Sequence, residues 1–160
     1  MAVTPTGGLS LPISHLRTMI ADCASFRTWV GAATPAAALA RIHLVATPAT
    51  GATRPFAIVD QGSETGFEKF AESGWIASGS LFLLFEANVT EAYSDSEADS
   101  FFEFWNKIGA ICDEMTDLSG TGTYLNVTSI TLEEGPFRSD AKAGENADYY
   151  QVILNIGWGV

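Results

Sequence analysis

"GWIASGSLFLLFEANVTEAY", residues 74–93, is the longest strand-like run in the chain, and its reading decides the fold. Leu81, Leu83 and Phe85 alternate onto one side of such a strand, Phe82 and Leu84 onto the other. A strand that is apolar on both faces has to lie centrally in a sheet, covered on two sides by helices, a second sheet or another subunit.

Two further strands are expected downstream, "TYLNVTSITLEE" at 123–134 and "YYQVILNIGW" at 149–158. In the second, Tyr150, Val152, Leu154, Ile156 and Trp158 share an apolar face, while the other face is mixed. The segment between them, "GPFRSDAKAGENA" at 135–147, is too long for a tight hairpin, and loops of that length are commonly functional.

Upstream of 74, Leu16, Met19, Ile20, Cys23, Phe26, Trp29 and Val30 recur at helical spacing, which predicts one amphipathic helix from Pro12 to Val30, ended by Gly31. Thr34 is the candidate N-cap of a short Ala-rich helix. "RIHLVA" at 41–46 and "PFAIVD" at 55–60 read as strands flanking a Pro/Gly/Thr loop, and "GFEKFAESG" at 66–74 suits either a helical turn or a strand.

The clearest helix follows residue 93. Ser94 and Glu97 have capping-box spacing, Phe101, Phe104, Trp105, Ile108, Ile111, Cys112, Met115 and Leu118 form an apolar stripe, and Gly120 can stop it. Its other face is acidic, with Lys107 the single base between Glu91 and Asp117. Helices, strands, a long helix and a closing strand pair together predict an α+β domain over residues 1–160, with the N-terminal and long acidic helices packed on a largely antiparallel sheet.

Composition narrows the function classes. The 160 residues suit one domain with a sizeable core, and 47% hydrophobic content argues for a folded state. The strongest apolar run, Leu81 to Phe85, is far shorter than the roughly 20 residues of a membrane-spanning helix. The start "MAVTPTGGLSLPISHL" has no secretory pattern, so synthesis and folding in cytoplasm are expected. Cys23 and Cys112 lack CxxC spacing and are expected as buried thiols within helices. Nineteen acids against eight bases give a net charge of −11, which opposes tight nucleic-acid binding. Acidity alone serves solubility, and it equally suits a surface that DNA slides past.

Chemistry-bearing motifs are sparse. GxSxG, the P-loop, HExxH, the dinucleotide fingerprint and paired zinc spacings do not occur, and Gly120-Thr121-Gly122 follows a helix instead of opening one. His15 and His43 share no local pattern. Glu86, Glu133 and Glu134 could serve as acid and base in a pocket, but solvated strand-end charges are the simpler expectation. Trp75, beside Gly-Ser turns, is a candidate subunit contact, with core or turn packing the alternative.

Taken in order, "SFRTWVG", "RPFAIVDQG", "SGSLFLLFEANV", "SDSEADSFFEFWNKI" and "DYYQVILNIGWG" resemble the tail terminator, or tail-to-head joining, proteins of long-tailed bacteriophages. The resemblance covers most of the chain and rests on the order of these segments. It implies a non-enzymatic structural protein of the virion, assembled in the host cytoplasm, whose copies form a ring, typically six-fold, on the last ring of the tail tube. The implied partners are further copies of the chain, the tail tube protein and the head-proximal neck or connector proteins, with DNA passing through the lumen unbound. No cofactor, metal or membrane is implied. The 135–147 loop, with Phe137, Arg138, Asp140 and Lys142, would then reach a neighbouring subunit or the tube, Arg138 making an intersubunit ion pair. A tail tube or other neck ring subunit, and an α+β barrel enzyme or small-ligand binder, remain the alternatives.

Overall fold

The computed structural model describes residues 10–44, 52–60, 67–70, 74–77, 79–90 and 96–159, with the backbone alone described at 67–70, 74–77 and 96–99. Three helices come first: α1 (Leu11–Asp22), α2 (Ala24–Val30) and α3 (Pro35–Leu39). They lead to β1 (Ile42–His43), β2 (Phe56–Asp60), β3 (Phe67–Phe70), β4 (Gly74–Ala77) and β5 (Gly79–Asn88). The long helix α4 (Ser96–Leu118), a 3-10 turn (Gly122–Tyr124), β6 (Val127–Ser139) and β7 (Tyr149–Trp158) complete an α+β fold.

The single N-terminal helix expected from periodicity is two. Cys23 adopts an extended conformation between α1 and α2, and the Arg27 guanidinium donates to the carbonyls of Ala21 and Asp22 at 3.1 and 2.6 Å. Those bonds satisfy carbonyls that the broken helix leaves unpaired. The apolar spacing continues across the break because both helices face one core; periodicity reports the face and not the continuity of the backbone. Cys23 is therefore the buried break residue, while Cys112 is half-buried in α4, and both thiols are free. Thr34 caps α3 as expected, its hydroxyl accepting from the Ala37 amide at 3.2 Å.

The main sheet has the order β1-β2-β5-β7-β6, antiparallel throughout except for the parallel β1–β2 pair. β5 takes the central place that its two apolar faces require. The 74–93 run is nevertheless divided: β4 pairs with β3 in a separate two-stranded sheet, while β5 joins the main one. "GFEKFAESG" contributes the strand β3, and the Ser94 cap position lies outside the described residues. β7 is locked between β5 and β6, in register with β5 from Gly79–Trp158 to Asn88–Tyr149.

The core lies between the sheet and the helices. Leu16, Met19 and Ile20 of α1, Phe26 of α2, and Ile108, Ile111 and Met115 of α4 join Leu83, Phe85, Val152 and Ile156 in one buried cluster. Each such side chain contributes about 1.5–3 kcal/mol by leaving water. Aromatic edges tie the layers together, with Trp29 and Phe85 ring centroids 5.8 Å apart and Phe104 stacked on Tyr150 at 5.6 Å. Phe82 and Leu84, on the opposite side of β5, are half-buried.

Candidate functional site: a buried ion cluster that seats the last loop

Strand alternation places Glu86 on the side of β5 opposite the Leu81, Leu83 and Phe85 core face. Its register partners are Phe56 on β2 and Gln151 on β7. Solvated strand-end charge, the expectation for Glu86, is incorrect: the residue is fully buried, whereas Glu133 and Glu134 are exposed. Its carboxylate accepts from Arg54 Nε at 2.9 Å, from Gln151 Nε2 at 2.6 Å, and from Lys142 Nζ at 3.3 and 3.4 Å.

Arg54 stands two residues before Phe56, so it continues toward Asn88, whose Oδ1 accepts from Nη1 at 3.4 Å. The same Nη1 donates to Glu145 Oε2 at 2.8 Å, and that oxygen also accepts from the Lys142 amide at 3.1 Å. The Tyr149 ring, opposite Asn88 in register, lies 4.0 Å from the Arg54 guanidinium carbon and 4.9 Å from Lys142 Nζ. Two cations, each paired with a carboxylate, thus meet at one aromatic ring. Burying Glu86 is tolerable only because each of its oxygens is paired and hydrogen-bonded. Arg54 Nη2 is buried without a partner and adds no such compensation.

A second tie closes the base of the loop. Arg138, at the end of β6, donates to Asp148 Oδ2 from Nη2 at 2.7 Å and from Nε at 3.1 Å, and Asp148 Oδ1 accepts from the Ala141 amide at 3.0 Å. The Arg138 hydrogen bonds hold the Asp148 carboxyl below its ordinary value, as the Arg54 hydrogen bond does for Glu145.

The structure thus redraws the loop expected at 135–147. Residues 135–139 belong to β6, which carries register shifts between Val127 and Phe137, and the loop proper is 140–148. Phe137 is half-buried opposite Gln151, and Asp140 is exposed. Arg138 and Lys142 both engage carboxylates of their own chain. Trp75 stands opposite Lys69 in the β3–β4 hairpin, its side chain outside the described residues. The cluster therefore joins Arg138's and Lys142's loop to residues that sequence reasoning passed over: Arg54, Tyr149 and Gln151. The available signal was Glu86 itself, a lone acid within a central apolar strand.

Reactive groups elsewhere are quiet. Burial pushes the Cys23 thiol up to about 12, with Glu114 and Asp22 adding to it, and burial pushes Cys112 up to about 11, so both stay protonated at neutral pH. His15 packs on Trp158 and His43 on Phe56, at ring separations of 5.6 and 5.0 Å. Burial, together with Arg17 and Arg41, lowers the His43 pKa from 6.5. Among the described residues there is no group of three or more His, Cys, Asp or Glu placed to hold a metal, and no helix long and apolar enough to cross a membrane. What the cluster does is mechanical: it fixes the 140–148 loop on the sheet through ions that pair with one another. No protein-family model and no curated protein matches the chain.

Proposed function

We propose that the chain is a ring-forming structural subunit of a long-tailed bacteriophage, a tail terminator that closes the tail tube and joins it to the neck. The observation that carries this reading is the order of elements along the chain, the order on which the sequence resemblance rests: N-terminal helices, a central two-faced strand, a long acidic helix and a final strand locked inside the sheet. Two features support it. The acidic charge balance of a −11 subunit, repeated around a ring, lets DNA pass without the counterion release that drives binding. The 140–148 loop, seated on the sheet by ion pairs internal to the subunit, offers a fixed surface that a neighbour or the tube can dock against.

Sedimentation velocity over a range of concentrations tests the reading. A terminator gives one closed species of fixed stoichiometry that does not grow further with concentration. Open-ended growth assigns the chain to a tail tube subunit, because a head-to-tail contact that fails to close makes filaments.

A small-ligand binder is the second reading, and one observation favours it. The unpartnered Arg54 Nη2 belongs to a residue lining a cleft of about 310 Å³ together with Asn88, Glu103, Lys107 and Tyr150. Glu103, one helical turn from Lys107, offsets its charge there.

A further inference from the structure

Among the described residues β6 is an edge strand, and α4 leaves part of its helix-side face uncovered. Between them runs a groove of about 660 Å³ lined by Trp105, Ile108, Cys112, Ile130, Leu132 and Leu154, among others. Leu132 is 51% exposed at its lip. Acidic charge lies along its α4 side: Asp113 lines the groove, and Asp117, one helical turn further along α4, is exposed. An open apolar shelf beside an unpaired strand edge is a surface that proteins ordinarily cover or charge.

The opposite edge of the sheet has the complementary character. Around β1 stand Arg17, donating to the carbonyls of Leu39 and Ile42 at 2.9 and 3.3 Å, and Arg41, donating to the Thr53 carbonyl at 2.9 Å. Those partners are neutral, so the bonds orient both guanidinium groups without cancelling their charge. Leu44, directly after β1, is 48% exposed.

We propose that the α4–β6 groove receives the β1 edge of a second copy of this chain, Leu44 entering beside Leu132 while Arg17 and Arg41 face Asp113 and Asp117. Two grooves facing each other would set acid against acid, which costs association. The two edges lie on opposite sides of a five-stranded sheet, about 19 Å apart at the usual strand spacing, so one copy cannot satisfy both of its own. The contact is therefore head-to-tail, the type that closes into rings. This inference rests on the ring reading and specifies the surfaces through which it works.

Two variants test it, Leu132→Asp in the groove and Leu44→Asp at the edge, each at an exposed position and each checked for native circular dichroism and cooperative unfolding. Sedimentation velocity is expected to show each variant self-associating at least about tenfold more weakly than the wild type, the factor that 1.4 kcal/mol confers. A mixture of the two is expected to form a one-to-one dimer, since each retains the surface the other has lost. Wild-type rings that persist in Leu132→Asp would overturn the groove assignment while leaving the ring reading intact. Self-association of Leu44→Asp with loss only in Leu132→Asp would show groove meeting groove, contrary to the proposal. A wild-type protein that stays monomeric at its highest soluble concentration would contradict the second copy as occupant and the ring together.

Discussion

Arg54 Nε sits 2.9 Å from Glu86 Oε2, and the two side chains are 3% and 1% exposed. This pair fastens the segment before β2 to the C-terminal end of β5, and through Glu145 and Lys142 it also holds the 140–148 loop. Removing one member of such a pair strands the other charge away from water, which costs more than the pair itself contributes.

Glu86→Ala is accordingly expected to destabilise the fold by about 3–5 kcal/mol, measured by urea unfolding. Arg54, Lys142 and Gln151 all lose an acceptor in that variant. A loss below about 1 kcal/mol, the value of an ordinary exposed pair, would show that the cluster is not buried as described.

Arg138→Glu places a carboxylate against Asp148 in the same chain. The expected result is local: faster hydrogen exchange at the Ala141 amide, which Asp148 Oδ1 now accepts from, with little change in global stability. Unchanged exchange at Ala141 in Arg138→Glu would contradict the tie at the loop base.

Acid should loosen the fold in two stages. The His43 pKa lies below 6.5 in the folded protein, so the unfolded chain takes up that proton first; the contribution is complete above pH 6.5 and is lost as pH falls through the folded value. Glu145, Asp148 and Glu114 are likewise held below 4.5, 3.8 and 4.5, so their contribution is complete above those values and is lost as pH falls through the lower folded ones. For Glu114, burial alone would raise the carboxyl, and hydrogen bonds from Ser25 and Ala24 more than reverse it. Thermal unfolding should show a slight decline in Tm beginning near 6.5 and a steeper one below 4.5. A Tm that rises on acidification through either window would contradict these assignments.

Gly135 has φ +96°, and a Cβ there would lie 2.9 Å from the Gln151 carbonyl oxygen, a backbone atom inside β7 that cannot move aside. Gly135→Ala is expected to cost about 1–3 kcal/mol in urea unfolding, from strain and overlap together. A neutral substitution would mean that the β6 backbone relaxes there freely.

Sequence patterns carried the elements whose signal is local. The two-sided apolar run at Leu81–Phe85 placed β5 in the middle of the sheet, and the stripe from Phe101 to Leu118 placed α4 against it. Gly31 and Thr34 marked helix ends through left-handed backbone and a hydroxyl cap. The break at Cys23 escaped because the helices on either side turn the same face to the core. The ion cluster escaped for a different reason: Arg54, Glu86 and Lys142 are 32 and 56 residues apart in their pairings, and only strand register brings them together. A charge within an apolar strand signals a buried partner, but sequence spacing does not say which one.

Negative-stain electron microscopy of the concentrated protein tests the central claim most directly. Class averages are expected to show single closed rings of one symmetry with a central hole. Long stacked tubes, or particles of monomer size only at every concentration reached, would contradict the terminator account.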